Sequence, residues 1–168
     1  MQIKNNSVGL KISSGNIVLR PLKKGDYKSF LDFSIEYDNC EIPIDDFVSL
    51  QASKEFEFIM SGKLWLYLFE KQTQNRFEVG EILGYAEITQ TANQNTAEVG
   101  YYIKKSKRNN GNGRKILAMA IEVIKNMSYE TVVATASQEN HHSVALLKSA
   151  NFTVEKSENE KIVAYLNL

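Results

Sequence analysis

Six cations, Lys104, Lys105, Lys107, Arg108, Arg114 and Lys115, lie between Tyr101 and Lys115 with no carboxylate among them. Asn109, Asn110, Gly111, Asn112 and Gly113 stand inside the same stretch. Before it, Glu98-Val-Gly-Tyr-Tyr-Ile103 alternates as a strand does, and from Asn112 onward the apolar residues fall at helical spacing. A glycine-containing turn between strand and helix lets backbone N–H groups converge on one point, because glycine allows φ values that side chains forbid. The helix start adds free amides and a positive dipole end. This is the chemistry of a phosphate cradle. On the strand beside it Glu98, Gly100 and Tyr102 share one face, with Val99, Tyr101 and Ile103 on the other. Gly100 leaves room for a substrate beside Glu98.

Two further stretches carry spacing of interest. Asn140-His-His-Ser143-Val-Ala-Leu-Leu147-Lys-Ser-Ala-Asn-Phe152 follows the strand-like run Thr131–Ala136 and opens a short helix. Asn140 or a neighbour is suited to cap that helix, and Ala145, Leu146 and Ala150 supply part of its apolar face. Near the start, Asn16-Ile-Val-Leu-Arg-Pro-Leu22 precedes Gly25-Asp26-Tyr27, a strand entering a helix.

The spacing Arg108-x-x-Gly111-x-Gly113 resembles the acetyl-coenzyme A pyrophosphate loop of the GNAT superfamily of N-acetyltransferases. The Asn140–Phe152 stretch resembles the N-x-x-S-x-x-x-x-E-K-x-G-F signature of the branch that acetylates ribosomal-protein N-termini. Lys148 and Ser149 stand where that branch has Glu-Lys, and Asn151 replaces its glycine. Asn tolerates left-handed backbone angles, so the turn can survive the exchange. The opening stretch is similar to the branch's L-R-P-L-x-x-x-D entry. Together the matches cover both ends and the middle of the chain in the expected order.

The resemblance implies an acetyl-CoA-dependent transfer to a primary amine in a ternary complex. It implies that the amides from Arg108 through Asn109, Asn110, Gly111, Asn112 and Gly113 to Arg114 hold the pyrophosphate. It has the strand end Tyr102-Ile103-Lys104 pair with the pantetheine arm, and Asn140 hydrogen-bond to that arm. The position where many relatives carry a tyrosine that protonates the leaving thiolate is Leu147 here. Ser143 is therefore the candidate acid or thiolate hydrogen-bond donor, while His141 and His142 suit cap or surface roles.

The base depends on the acceptor. A lysine-like amine needs about 4–5 kcal/mol to be neutral at pH 7, an α-amine only about 1 kcal/mol. Glu98 is the favoured base, directly or through water, with Glu87 on the neighbouring strand the second candidate. A peptide or protein N-terminus ranks first as acceptor and a small polycationic amine second. A non-catalytic acyl-CoA-binding module on the same fold is the competing reading.

These residues need a scaffold. Val18–Leu22 reads as a strand and Asp26–Ser34 as a helix. Asn39–Asp46 reads as a polar connection, Phe47–Met60 as a second helix and Leu64–Phe69 as a central strand. Glu70–Glu78 suggests an exposed turn. Val79–Gln90 and Thr96–Ile103 are strands, then come a helix from about Asn112 to Asn126, strand Thr131–Ala136, helix Asn140–Ala150, and strands Thr153–Lys156 and Ile162–Leu168. Met1–Ser14 suits a small additional hairpin. The order is β-α-α-β-β-β-α-β-α-β-β, an α/β architecture with a GNAT-type mixed central sheet flanked by helices. A dinucleotide-binding unit fits poorly, since it needs G-x-G-x-x-G and an acidic residue ending the next strand, where this chain has Ser137-Gln138.

The chain has 168 residues, 43% of them hydrophobic and 24% charged, which suits one domain over 1–168. Twenty basic residues balance twenty acidic ones, which argues against nucleic-acid binding. Carboxylates dominate from Asp26 to Glu57, opposite in sign to the later loop, as suits an anionic co-substrate and a cationic amine. Cys40 is the only cysteine, so neither an intrachain disulfide nor a thiolate zinc cluster can form, and no metal is expected. Met1–Ser7 lacks the apolar core of a signal peptide, and no run nears the roughly 20 apolar residues of a membrane span. A cytoplasmic, soluble protein is expected, with a homodimer compatible.

Overall fold

The computed structural model describes residues 10–26, 28, 64–73, 80–157 and 160–168. Its strands are β1 (Ile12–Ser14), β2 (Ile17–Pro21), β3 (Trp65–Lys71), β4 (Glu81–Gln90), β5 (Thr96–Ile103), β6 (Thr131–Ser137), β7 (Thr153–Lys156) and β8 (Lys161–Asn167). The helices are α1 (Asn112–Asn126) and α2 (His141–Ser149), with single 3-10 turns at Lys24–Asp26 and Lys105–Lys107. All eight strands join one sheet in the order β1-β2-β3-β4-β5-β6-β8-β7. Every neighbouring pair is antiparallel except β5 with β6, which is parallel. The expected mixed sheet of the α/β class is what forms. Beyond Asp26 and Lys28, the two helices expected between residues 26 and 60 lie outside the described residues, as do the Asn39–Asp46 connection and Cys40.

Alternation decides what each face of the sheet meets. On one face Ile17, Leu19, Tyr67, Phe69, Ala86, Ile88, Ala97, Val99, Val132 and Ala134 form a core with α1. That helix brings Ile116, Leu117, Ala120, Val123 and Ile124, all fully buried, at the three- and four-residue spacing of an amphipathic helix. Each of these Ile, Leu and Val side chains contributes about 1.5–3 kcal/mol of burial. On the other face Leu22, Leu66, Leu68 and Ile82 form a smaller cluster, with Tyr85 and Tyr102 at its margin.

Of the hairpin expected within Met1–Ser14, residues 1–9 lie outside the described residues, and residues 12–14 form β1, a strand three residues long paired with β2, so the sheet gains a member. One detail differs from the sequence reading. Glu70 belongs to β3 rather than to an exposed turn, and it is buried because Arg20 Nε donates to its Oε2 at 2.7 Å. Arg20 also donates to both oxygens of Asp26, at 2.8 and 3.0 Å, and the Lys23 N–H donates to Asp26 Oδ2 at 2.7 Å. The Arg and Asp of the opening motif are therefore a clip that fixes the end of β2 to the turn after it.

A bulge interrupts the β3–β4 ladder near the site. Phe69 pairs with Gly84 but Glu70 with Ile82, leaving Leu83 as an extra residue on β4. The Leu83 carbonyl accepts from the Lys104 N–H at 2.9 Å.

Candidate functional site

β5 and β6 run together only briefly. Thr96, Ala97 and Glu98 pair with Thr131, Val132 and Val133, and the parallel ladder ends there. β6 continues to Ser137 against β8 on its far side, and β5 continues to Ile103 against β4. Past Glu98 the two strands part, and among the described residues no strand fills the space between them. The hydrogen-bond phase of β5 follows from the Lys104 N–H to Leu83 bond, which makes Ile103 and Gly84 a non-hydrogen-bonded pair. Glu98, Gly100 and Tyr102 then turn their backbone groups toward β4, whereas Val99, Tyr101 and Ile103 turn theirs toward the parting. This corrects the expectation for Tyr102 and Lys104: their N–H groups point toward β4, and Tyr101 presents main-chain groups to a ligand lying in the gap. The Ile103 carbonyl is already taken by Arg108 Nε at 3.1 Å.

The basic loop closes one end of this gap. After Ile103 the chain makes the 3-10 turn Lys105–Lys107, with Lys107 and Arg108 N–H bonded back to Lys104 and Lys105 at 2.8 and 3.3 Å. Asn109 takes the left-handed conformation at φ 62°, and so does Gly111 at φ 72°, the residue that caps α1. Lys115 N–H bonds the Gly111 carbonyl at 3.2 Å. The amides of Asn112, Gly113 and Arg114 thus have no carbonyl one turn back within the helix and point out of its positive end. Asn112 is buried, and its Nδ2 donates to the Lys107 carbonyl at 2.9 Å, which braces the loop from inside. A Cβ on Gly113 would stand 3.1 Å from Leu146 Cδ2, so Gly113 lets α1 and α2 approach closely. Asn109, Asn110, Gly111, Arg114 and Lys115 are exposed.

Not all six cations face outward in the same way. Lys107 forms an ion pair with Glu81, which, with its hydrogen bond, holds the Glu81 carboxyl below its ordinary range. Arg108 lies over the Tyr102 ring, 5.2 Å from its centroid, and Tyr102 stacks on Tyr85 with centroids 5.8 Å apart. Arg108 therefore fixes the loop to the end of β5 through its side chain.

The catalytic candidates occupy opposite faces of the sheet. Glu87 pairs with Gly100 and Glu98 with Thr89, and all four side-chain positions lie on the face away from α1. Glu87 is half-buried, and its Oε2 would be 3.4 Å from a Cβ on Gly100, so the room above Gly100 is bounded by this carboxylate. Glu98 Oε1 accepts from Thr135 Oγ1 on β6 at 3.0 Å, just where the strands part. Ser143 is on the helix side. It sits in the first turn of α2, whose N-cap Asn140 accepts from the Ser143 N–H at 3.1 Å. Asn140 Oδ1 thus serves the cap, and its Nδ2 stands beside it as a donor. Ser143 Oγ is 3.2 Å from the Tyr101 hydroxyl, a contact across 42 residues that the sequence reading did not foresee. The only available signal was the alternation that puts Tyr101 on the apolar face. Leu147, at the position of the usual tyrosine, is fully buried in the core. His141 and His142 are exposed at the helix start.

The end of α2 accounts for Asn151. Asn151 N–H bonds the Lys148 carbonyl and Phe152 N–H the Leu147 carbonyl, both at 3.1 Å, with Asn151 at φ 65°. This is a Schellman termination with Asn in the place usually taken by Gly.

Comparison with known proteins agrees with this geometry. The family model described as Acetyltransferase (GNAT) domain matches residues 16–153. Among solved structures, the chain is similar to a ribosomal-protein-S5-alanine acetyltransferase from Vibrio fischeri, at 12% identity and TM-score 0.72, covering 94% of this chain and 96% of that one. It is also similar to the spermidine N-acetyltransferase from Vibrio cholerae in complex with CoA and spermine, at 16% identity and TM-score 0.69, covering 92% and 96%. An N-acetyltransferase from Staphylococcus aureus Mu50 is 21% identical with TM-score 0.68, covering 91% and 99%. No curated protein sequence matches. Among the described residues no helix is long and apolar enough to cross a membrane, and no cluster of His, Cys, Asp and Glu could hold a metal ion.

Proposed function

The chain belongs to the GNAT acetyltransferase family, and we propose that it transfers acetyl from acetyl-CoA to the α-amine of a peptide or protein, by direct attack in a ternary complex. The observation that carries this reading is the parting of β5 from β6 after Glu98, beside the outward-pointing amides at the start of α1. The gap offers the Tyr101 main chain to an extended amide-bearing arm, and the loop offers Arg108–Arg114 to its pyrophosphate. Acetyl-CoA supplies the activated acyl group. In this reading Glu98, held by Thr135, takes the amine proton directly or through water, with Glu87 as the second candidate. Ser143 stands on the opposite side of the sheet, where the thiolate leaves. Holding both substrates in one gap supplies much of the rate, since proximity is worth about 7–11 kcal/mol.

The acceptor ranking rests on energy. An α-amine near pKa 7.7–8.0 needs only about 1 kcal/mol to be neutral at pH 7, so little is asked of the base. The Vibrio relatives named above act, by their descriptions, on a ribosomal protein and on spermidine, and a small polycationic amine remains the second acceptor class. A cytoplasmic location and homodimerisation belong to the same proposal, and fractionation and sedimentation of the intact protein test them.

The test is release of free thiol from acetyl-CoA with a panel containing an N-terminal peptide and a polyamine, together with the thermal shift caused by CoA. A ligand present at about 100 times its Kd should stabilise the fold by about 2.7 kcal/mol. Turnover with the peptide supports the proposal. Exclusive turnover of the polyamine reverses the ranking, and binding of CoA without turnover of any amine favours a non-catalytic acyl-CoA-binding module.

A further inference from the structure

The tyrosine that serves the leaving thiolate in many relatives is missing from α2, because Leu147 fills that position and is packed into the core. A different tyrosine reaches the same helix from the sheet. Tyr101 stands on β5 three residues past Glu98, where the β5–β6 pairing ends, with its ring against the main core and its hydroxyl 3.2 Å from Ser143 Oγ. Ser143 is fixed independently, since its N–H is bonded to the Asn140 cap in the first turn of α2. Resting on the acetyltransferase reading, we infer that Tyr101 is a positioning residue that holds Ser143 so that the serine hydroxyl donates to the departing thiolate of CoA.

The direction of the hydrogen bond follows from acidity. A phenol is a stronger acid than an alkyl hydroxyl, so Tyr101 donates and Ser143 Oγ accepts. Burial raises the Tyr101 hydroxyl above its ordinary value, outweighing the opposing effect of the Ser143 bond, so the phenol keeps its proton at neutral pH. Ser143 then has its own O–H left to give. As the amine nitrogen bonds to the acetyl carbon, the C–S bond breaks and its electron pair goes to sulfur. The proton shed by nitrogen leaves on the other face of the sheet, to Glu98 or water. The sulfur accepts a hydrogen bond from Ser143 and afterwards takes a proton from solvent, so the pair is not consumed. The positive end of α2 acts in the same direction.

A spectroscopic readout separates this role from support of the core and does not depend on turnover. The thiolate of CoA has a far-ultraviolet band that the thiol lacks, so the thiol of bound CoA can be titrated by difference absorbance in the wild type, Tyr101→Phe, Ser143→Ala and the double variant. A hydrogen bond to a charged sulfur should lower the bound thiol's pKa below the ordinary 8.5, and losing it should shift the ionisation constant by about tenfold. His141 and His142, the nearest titratable side chains in sequence, remain in every variant, so their influence is common to all. The expected result is equal shifts in the two single variants and no further shift in the double one, with CoA affinity unchanged and kcat lowered at least as much as the ionisation constant. Identical titration in the wild type and Tyr101→Phe would overturn the inference. So would additive shifts in the double variant. Ser143→Ala keeps the question answerable if Tyr101→Phe proves unstable, because an unshifted thiol there also overturns it. Failure of CoA to bind the wild type would instead overturn the acetyltransferase reading, and this inference with it.

Discussion

Glu87 and Gly100 face each other across the β4–β5 ladder, and the Glu87 carboxylate lies 3.4 Å from the point where a side chain on Gly100 would begin. The glycine brings one carboxylate over the strand that carries the other, so Glu87 and Glu98 lie on the same face of the sheet. Their roles are separable by charge-removing substitutions that preserve shape. Glu98→Gln should lower turnover most near pH 6, where fewer amines are already neutral, and progressively less toward pH 9, with CoA affinity nearly intact. Glu87→Gln should have a smaller effect with less pH dependence. Rates of both variants across that range, against an N-terminal peptide, check the assignment. Wild-type rates throughout for Glu98→Gln would remove it from the mechanism.

Gly111 concerns the anion site alone. The space where its Cβ would stand is open, so a substitution meets no clash, but φ at 72° is costly for a side chain by about 1–2 kcal/mol. A β-branched residue pulls the backbone toward negative φ and turns the neighbouring amides away from phosphate. Gly111→Val should therefore weaken CoA binding at least about tenfold, whereas Gly111→Asn, which tolerates the left-handed region, should keep most of it. Calorimetric titration of CoA into the folded variants decides this, and unchanged affinity in Gly111→Val would sink the loop assignment.

The Arg20 clip predicts a pH-dependent stability. Burial alone would raise the Asp26 carboxyl, but hydrogen bonds from Arg20 and the Lys23 N–H, with the charge of Arg20, hold it below its ordinary range. A carboxyl lowered in the folded state adds stability that is present above its unfolded pKa, near 3.9, and is lost as the pH falls through its folded value. Arg20→Leu should cost about 3 kcal/mol at pH 7, since it takes the guanidinium from two carboxylates, Asp26 and the buried Glu70. The gap between variant and wild type should narrow as the pH falls below about 4 and toward the lowered folded value of Asp26 in the wild type. Urea denaturation at pH 7 and pH 3 measures it. A difference that does not change with pH would show that packing, not charge, is what Arg20 supplies.

Periodic segments were legible from the sequence. α1 occupies Asn112–Asn126 as its apolar spacing requires, and Asn151 takes the left-handed angle that allowed it to replace glycine. Short or long-range features were not. β1 is three residues long, too brief for alternation to mark. Glu70 reads as a surface charge until Arg20, fifty residues earlier in the chain, is brought to it. Alternation places Tyr101 and Tyr102 on opposite faces, but it cannot say which of them turns its N–H and C=O toward the gap. That depends on hydrogen-bond phase, which only the bond from the Lys104 N–H to the Leu83 carbonyl across the folded ladder reveals. The meeting of Tyr101 with Ser143 has the same origin, because it arises from tertiary packing between a strand and a helix that neither segment encodes alone.

The parting of β5 from β6 also bears on how the protein survives in a crowded solution. The Val99 carbonyl and the Tyr101 N–H and carbonyl turn toward a gap that no described strand fills, which makes an unpaired edge in the middle of the sheet rather than at its rim. An extended arm lying along β5 would satisfy those groups and cover the edge against pairing with strands of other chains. Saturation with CoA should thus protect the protein from aggregating as well as raise its melting temperature.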